Sequence, residues 1–194
     1  QMLEWFPGRF LIEGDRNDYD YIYTREKLAT LAGKKLHGKR NHIARFKDSG
    51  DWSYEPMTAE NVEECRTMTY TWIHMREEKW NEEMNQEISV LHEAFDHMQE
   101  LGLVGGVLRR DGQIVAFSIG ERLNSEMFVV HFEKAYPDLQ GAYPMINQQF
   151  VEHECQDYTY VNREEDTGAE GLRKAKLSYR PVFMVEKGRV TERA

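Results

Sequence analysis

The chain has 194 residues, of which 40% are hydrophobic and 30% charged, and its formal net charge is −9. That length and apolar content exclude a disordered polymer and suit one sizeable domain, alone or with an appendage. The acidic balance argues against a general nucleic-acid coat, and no apolar run approaches the roughly 20 residues of a membrane helix.

The opening residues, QMLEWFPGRFLIEGDRND, lack the basic-then-apolar order of a signal peptide and read as mid-chain sequence. Thr24–Lys35 (TREKLATLAGKK) reads as a helix with Thr24 as N-cap, and Gly33 and Gly38 mark its end and a turn. From Lys34 to Lys47 the chain carries six Lys/Arg and two His with no acid. Such a patch can hold phosphates even on an acidic protein, and it reads equally as a solvated helix end and loop. Asp48–Pro56 reads as a loop. Two helical stripes follow, Val62/Cys65/Thr69/Trp72/Ile73/Arg76 and Met84/Ile88/Leu91/Phe95/Met98, the core faces of two packed helices.

After Gly102 the period changes. LVGGVLRR and QIVAFSIGE flank Asp111-Gly112, a strong hairpin signal, and MFVVHFEKA adds a third strand. AYPMINQQFVEHE reads as a helix, DYTYVN as a strand, AEGLRKAKL as a short helix and VFMVEKG as a last strand. A meander leading into a βαβ unit predicts an α/β (α+β) domain with a mixed central sheet flanked by helices. Cys65 and Cys155, the only two cysteines, stand far apart, as reduced thiols of a cytoplasmic protein do.

Three places carry candidate chemistry. On MFVVHFEKA, strict alternation puts His131 and Glu133 on one face and Phe128, Val130 and Phe132 on the other. The polar two make a general base with its orienting partner, or a mutually satisfying structural pair. At the junction KAYPDLQGAYPM, Gly141 and Ala142 let a phosphate or another backbone approach a helix start. The stretch Val161–Pro181, VNREEDTGAEGLRKAKLSYRP, is the most charge-dense of the chain. It reads as a ligand-binding strand end, or as a capped helix with Asp166 or Thr167 as N-cap and Arg173, Lys174 and Lys176 complementing the dipole. The absence of GxGxxG, GxxxxGK[ST] and GxSxG disfavours a Rossmann dehydrogenase, a P-loop enzyme and a serine hydrolase, and the seven histidines show no metal-ligand spacing.

The blocks DYDYIYTREKLATLAGKKLHGKRNHIARF, HFEKA, GAYPMINQQF and VNREEDTGAEGLRKAKLSYRPV, in this order from about Asp20 to Lys187, resemble the bacterial phosphatidylglycerol lysyltransferase C-terminal family. The resemblance implies a GNAT-like acyltransferase fold, with residues 1–20 the tail of a preceding module and 21–194 the C-terminal module. It implies transfer of an acyl or aminoacyl group from a phosphate-bearing donor, acyl-CoA or aminoacyl-tRNA, to an amine or hydroxyl of a small-molecule or peptide acceptor. No tightly bound cofactor and no metal is expected. Under this reading Glu133 or His131 is the base and Tyr179 the acid. Gln140, Gly141, Ala142, Tyr143, Lys39, Arg40, Arg173, Lys174 and Lys176 serve the donor, and Asn162, Arg163 and Glu164 the acceptor. Residues 5–12, including Trp5, Phe6, Phe10, Leu11 and Ile12, pack on an absent module or in a homodimer. The alternative is a GNAT-like scaffold or binding module without catalysis.

Overall fold

The computed structural model describes residues 2–76 and 82–193. The helices are α1 (Met2–Trp5), α2 (Arg25–Thr30), α3 (His37–Asp48), α4 (Val62–His74), α5 (Glu82–Asp96), α6 (Ala142–Glu154) and α7 (Glu170–Ser178). The strands are β1 (Phe10–Gly14), β2 (Asp20–Thr24), β3 (Trp52–Pro56), β4 (Val104–Arg110), β5 (Gln113–Arg122), β6 (Met127–Ala135), β7 (Tyr160–Asn162), β8 (Phe183–Val185) and β9 (Gly188–Glu192). The chain divides into a larger unit, Thr24–Val161, and a smaller one in which the stretch up to Tyr23 joins the stretch from Asn162 onward.

In the larger unit β3, β4, β5, β6 and β7 lie side by side in that order. The first four pair antiparallel. The β4–β5 hairpin turns on Asp111 and Gly112, both at positive φ (49° and 81°), the two-residue turn whose twist matches the strands. β6 and β7 are neighbours joined through α6, so a βαβ crossover completes the mixed sheet that the sequence predicts.

Every residue of β5 from Ile114 to Gly120 is buried, so both faces of the sheet are covered. One face carries the predicted stripes: Cys65, Met68 and Trp72 of α4 and Ile88, Leu91 and Phe95 of α5 close on Phe117 and Ile119. α6 packs along β4, β5 and β6, with Phe150 edge-on to Phe128 at 5.8 Å, and α2 and α3 pack on α6.

Three local expectations are corrected here. Asp48–Pro56 is not all loop, because Trp52–Pro56 forms β3; five residues are too few to show their alternation until β4 supplies a ladder. The helix capped by Thr24 stops early, at Thr30, where Leu31 takes a left-handed φ of 48°. The basic run then continues as α3, with Gly38 inside it and Ile43 and Phe46 as its buried face.

In the smaller unit β2 pairs antiparallel with β8, and β1 with β9. The β1–β9 pair was not legible in advance, because each strand finds its only ladder at the opposite end of the chain. Trp5, Phe6, Leu11 and Ile12 are exposed. Neither Asp166 nor Thr167 caps α7: its N-cap is Ala169, whose methyl group can make no capping hydrogen bond, and Asp166 is buried instead.

Candidate functional site

Strand β6 is where the larger unit departs from regularity. Its register with β5 shifts between Ile119 and Gly120: Phe132 faces Ile119, Val130 faces Gly120, and His131 is the extra residue of a bulge. Gly120 is required there, because a Cβ would stand 2.2 Å from the Val129 carbonyl oxygen. The bulge breaks the expected alternation. Phe128 packs on Phe150 of α6 and on Tyr158, whereas Phe132 joins the core on the α4–α5 side.

The bulge also changes the expected polar pair. His131 is hydrogen-bonded to Glu121 of β5 (3.0 Å), and both side chains are partly exposed. Glu133 accepts a hydrogen bond from Asn147 Nδ2 of α6 at 2.9 Å. Glu121, the carboxylate that orients His131, was not singled out from the sequence. The antiparallel pairing of β5 with β6 across the turn at residues 123–126 brings it near, and no local spacing shows that.

Beyond the bulge, the end of β6 meets the end of α4 and the start of α6. Lys134 is buried, its Nζ 2.6 Å from Glu87 Oε1 and 4.2 Å from the centre of the Trp72 ring. Burial lowers the Lys134 pKa, opposed by Glu87. The Arg76 guanidinium lies 4.5 Å from the same ring. Trp72 Nε1 donates to Tyr143 Oη at 3.2 Å, and burial raises the Tyr143 pKa.

Gly141 caps α6 at φ 88°. A Cβ on it would meet the His42 carbonyl oxygen at 2.2 Å, so the backbone that approaches this glycine is that of α3. Ala142 is buried, Gln140 exposed and Lys39 half-buried. Arg40 Nη1 donates to the Gly33 carbonyl at 2.8 Å and to that of Leu31, which ties α3 to the end of α2.

The smaller unit holds the charge-dense stretch. Asp166 is fully buried and all its acceptor positions are filled. Oδ1 accepts from the Gly168 amide (2.9 Å) and Arg173 Nη2 (2.7 Å), and Oδ2 from Arg173 Nε (2.9 Å) and the Tyr21 hydroxyl. The Arg173 guanidinium holds the Asp166 carboxyl well below the usual carboxylate range. Lys176, also buried, spends its three N–H donors on the carbonyls of Arg163 (2.6 Å), Glu164 (3.2 Å) and Glu165. Asn162 is buried, donating to Asp20 Oδ2 at 3.0 Å and accepting from the Glu164 amide at 2.7 Å. Glu164 is thereby held at φ 54°.

Of the expected donor residues in this unit, Arg173 and Lys176 are therefore committed to internal partners, while Lys174 is exposed. Tyr179 is buried edge-on to Tyr23 (6.4 Å), with the Arg163 guanidinium 4.9 Å from its ring centre. Cys65 and Cys155 are buried, and burial pushes each thiol up to about 12, so neither is a ready nucleophile. Among the described residues no group of three or more His, Cys, Asp or Glu could hold a metal ion, and no helix is long and apolar enough to cross a membrane.

Comparison with known proteins bears on what this arrangement is for. The profile of the family described as phosphatidylglycerol lysyltransferase, C-terminal, matches residues 1–187. The chain belongs to that family. A conserved protein of unknown function from Bacteroides thetaiotaomicron VPI-5482 is 43% identical, with a TM-score of 0.93 over all of this chain and 65% of its own. The structure of L-PGS from Bacillus licheniformis shares the fold at 18% identity, with a TM-score of 0.65 over 99% of this chain and 63% of its own. An uncharacterized protein of Mycoplasmoides gallisepticum, MYCGA3080, is 24% identical over 190 residues, 95% of this chain and 60% of that protein. The chain thus spans less than two thirds of each of these relatives.

Proposed function

We propose that this phosphatidylglycerol lysyltransferase C-terminal domain takes part in acyl or aminoacyl transfer. A phosphate-bearing donor, aminoacyl-tRNA or acyl-CoA, gives its acyl group to an amine or hydroxyl acceptor. Family membership supports the reaction class, and the His131–Glu121 pair on the β6 bulge is the observation that carries the mechanism. An imidazole held by a carboxylate is the arrangement of a general base with its orienting partner. His131 takes the proton of the attacking nucleophile. The new bond forms to the donor's carbonyl carbon, the bond to the tRNA hydroxyl oxygen or the CoA sulfur breaks, and the leaving oxygen or sulfur takes the proton back from His131. In this reading main-chain N–H groups at the bulge, where His131 falls out of step with β5, meet the oxyanion of the tetrahedral intermediate. The exposed basic residues of α3 supply attraction for donor phosphates.

Turnover of the full-length protein, with acyl-CoA and charged tRNA as alternative donors and a panel of amines and alcohols as acceptors, tests this. His131→Gln is expected to lower kcat by about 10²–10⁴ and Glu121→Gln by less, in proportion to lost orientation. Turnover unchanged in both variants rejects the mechanism. One observation favours a second reading, a binding module without catalysis: the backbone of α3 already fills the space over Gly141. A melting shift with a donor, in the absence of turnover with any acceptor, would support that reading.

A further inference from the structure

We infer that the end of β6 in the larger unit is a seat for a phosphate oxyanion, built from Arg76, Lys134 and Tyr143 around Trp72. Three observations converge on it. First, two cations share one indole: Lys134 Nζ at 4.2 Å and the Arg76 guanidinium at 4.5 Å from the ring centre. Such a juxtaposition is repulsive unless a negative charge joins it. Glu87 answers Lys134 and leaves that ammonium two further N–H groups. No hydrogen bond or ion pair of the Arg76 side chain is found among the described residues, and its Nε is buried without a hydrogen-bond partner.

Second, the Tyr143 phenol has the polarity of a donor. Its oxygen accepts from Trp72 Nε1 at 3.2 Å and is approached by the Ala135 backbone amide. Among the described residues that hydroxyl hydrogen has no acceptor, so the phenol is free to donate. Third, Arg76 follows α4, Lys134 lies near the end of β6 and Tyr143 in the first turn of α6, and among the described residues the N–H and O–H groups they bring outnumber the acceptors that meet them, Glu87 included. A group with three oxygens and negative charge fits that set; a planar carboxylate fills less of it. Trp72, only 3% exposed, fixes the spacing by packing in the core below.

The seat extends the proposed transfer, on which its biological role rests, by giving the donor's phosphate a position at the end of the strand that carries His131. The site itself is read from donor geometry and does not depend on turnover.

Titration of the full chain with inorganic phosphate, with pyrophosphate and with acetate at constant ionic strength tests the inference. The readouts are melting temperature and the indole N–H resonance of Trp72. Phosphate or pyrophosphate is expected to raise the melting temperature and move that resonance. Arg76→Gln and Tyr143→Phe are each expected to weaken phosphate binding about tenfold or more, as loss of a hydrogen bond to a charged group does. No response to either phosphate, a response undiminished in both variants, or a site that prefers acetate overturns it. Phosphate binding that depends on Arg76, together with undiminished turnover in His131→Gln, would uphold the seat and remove only the proposed base.

Discussion

Asp166 in the smaller unit and Arg76 in the larger unit each sit in a knot of charge, and their hydrogen bonding is opposite in kind. Around Asp166 donors and acceptors match: four hydrogen bonds reach its two oxygens, and Lys176 nearby meets three carbonyls with three N–H groups. Around Arg76 the donors exceed the acceptors among the described residues. A buried charge with every partner in place holds a loop in one conformation, here with Glu164 and Thr167 at positive φ. A group of donors left over is prepared for something that arrives. Charge density therefore does not separate scaffold from site, whereas hydrogen-bond saturation does.

The sharpest way to break this comparison is Asp166→Asn. It leaves the partly exposed Arg173 facing a neutral amide and turns an N–H2 group toward the donors that surround the buried position, and the expected loss is about 3 kcal/mol of folding stability, read from urea unfolding. A loss below about 1 kcal/mol would mean that the smaller unit does not depend on this hub. Lys176→Met comes next, at about 2–3 kcal/mol, because it strands carbonyls that the ammonium now satisfies. The same unfolding measurement decides it.

Acid should reproduce part of the first effect. The folded pKa of Asp166 is depressed below its unfolded value of about 3.9, so its contribution is fully present above that value. It is lost as pH falls from about 4 toward the folded pKa. Stability profiles of wild type and Asp166→Asn should converge below pH 4; parallel profiles down to pH 2 would contradict the assignment.

The residues at the β6 end should behave the other way. Tyr143→Phe removes the acceptor of Trp72 Nε1 and is expected to cost about 1 kcal/mol. Arg76→Gln, with no protein hydrogen bond to lose among the described residues, should change stability by no more than about 0.5 kcal/mol while abolishing most phosphate binding. A large destabilisation by Arg76→Gln would make this corner structural and erase the contrast.

Much of this was legible in advance, for reasons that can be named. The hairpin at Asp111-Gly112 and the helix from Ala142 to Glu154 follow from turn chemistry and helical period, which are local. The α4 and α5 stripes fall on the core as their spacing requires. His131, Glu133 and Tyr143 were recognised as residues of interest, but their partners Glu121, Asn147 and Trp72 lie 10, 14 and 71 positions away in sequence. The strand alternation failed at His131 because a bulge is a property of two paired strands. Arg173 and Lys176 looked available because a sequence shows donors without showing which carbonyls surround them.

From its order of residues alone this chain determined its family, its class of fold and the positions of most helices and strands, because hydrophobic period and turn preference act over a few neighbouring residues. Only the tertiary structure decided which charges are spent and which are left over. That depends on burial, which removes water as the universal partner, and on register, which sets the partner that replaces it.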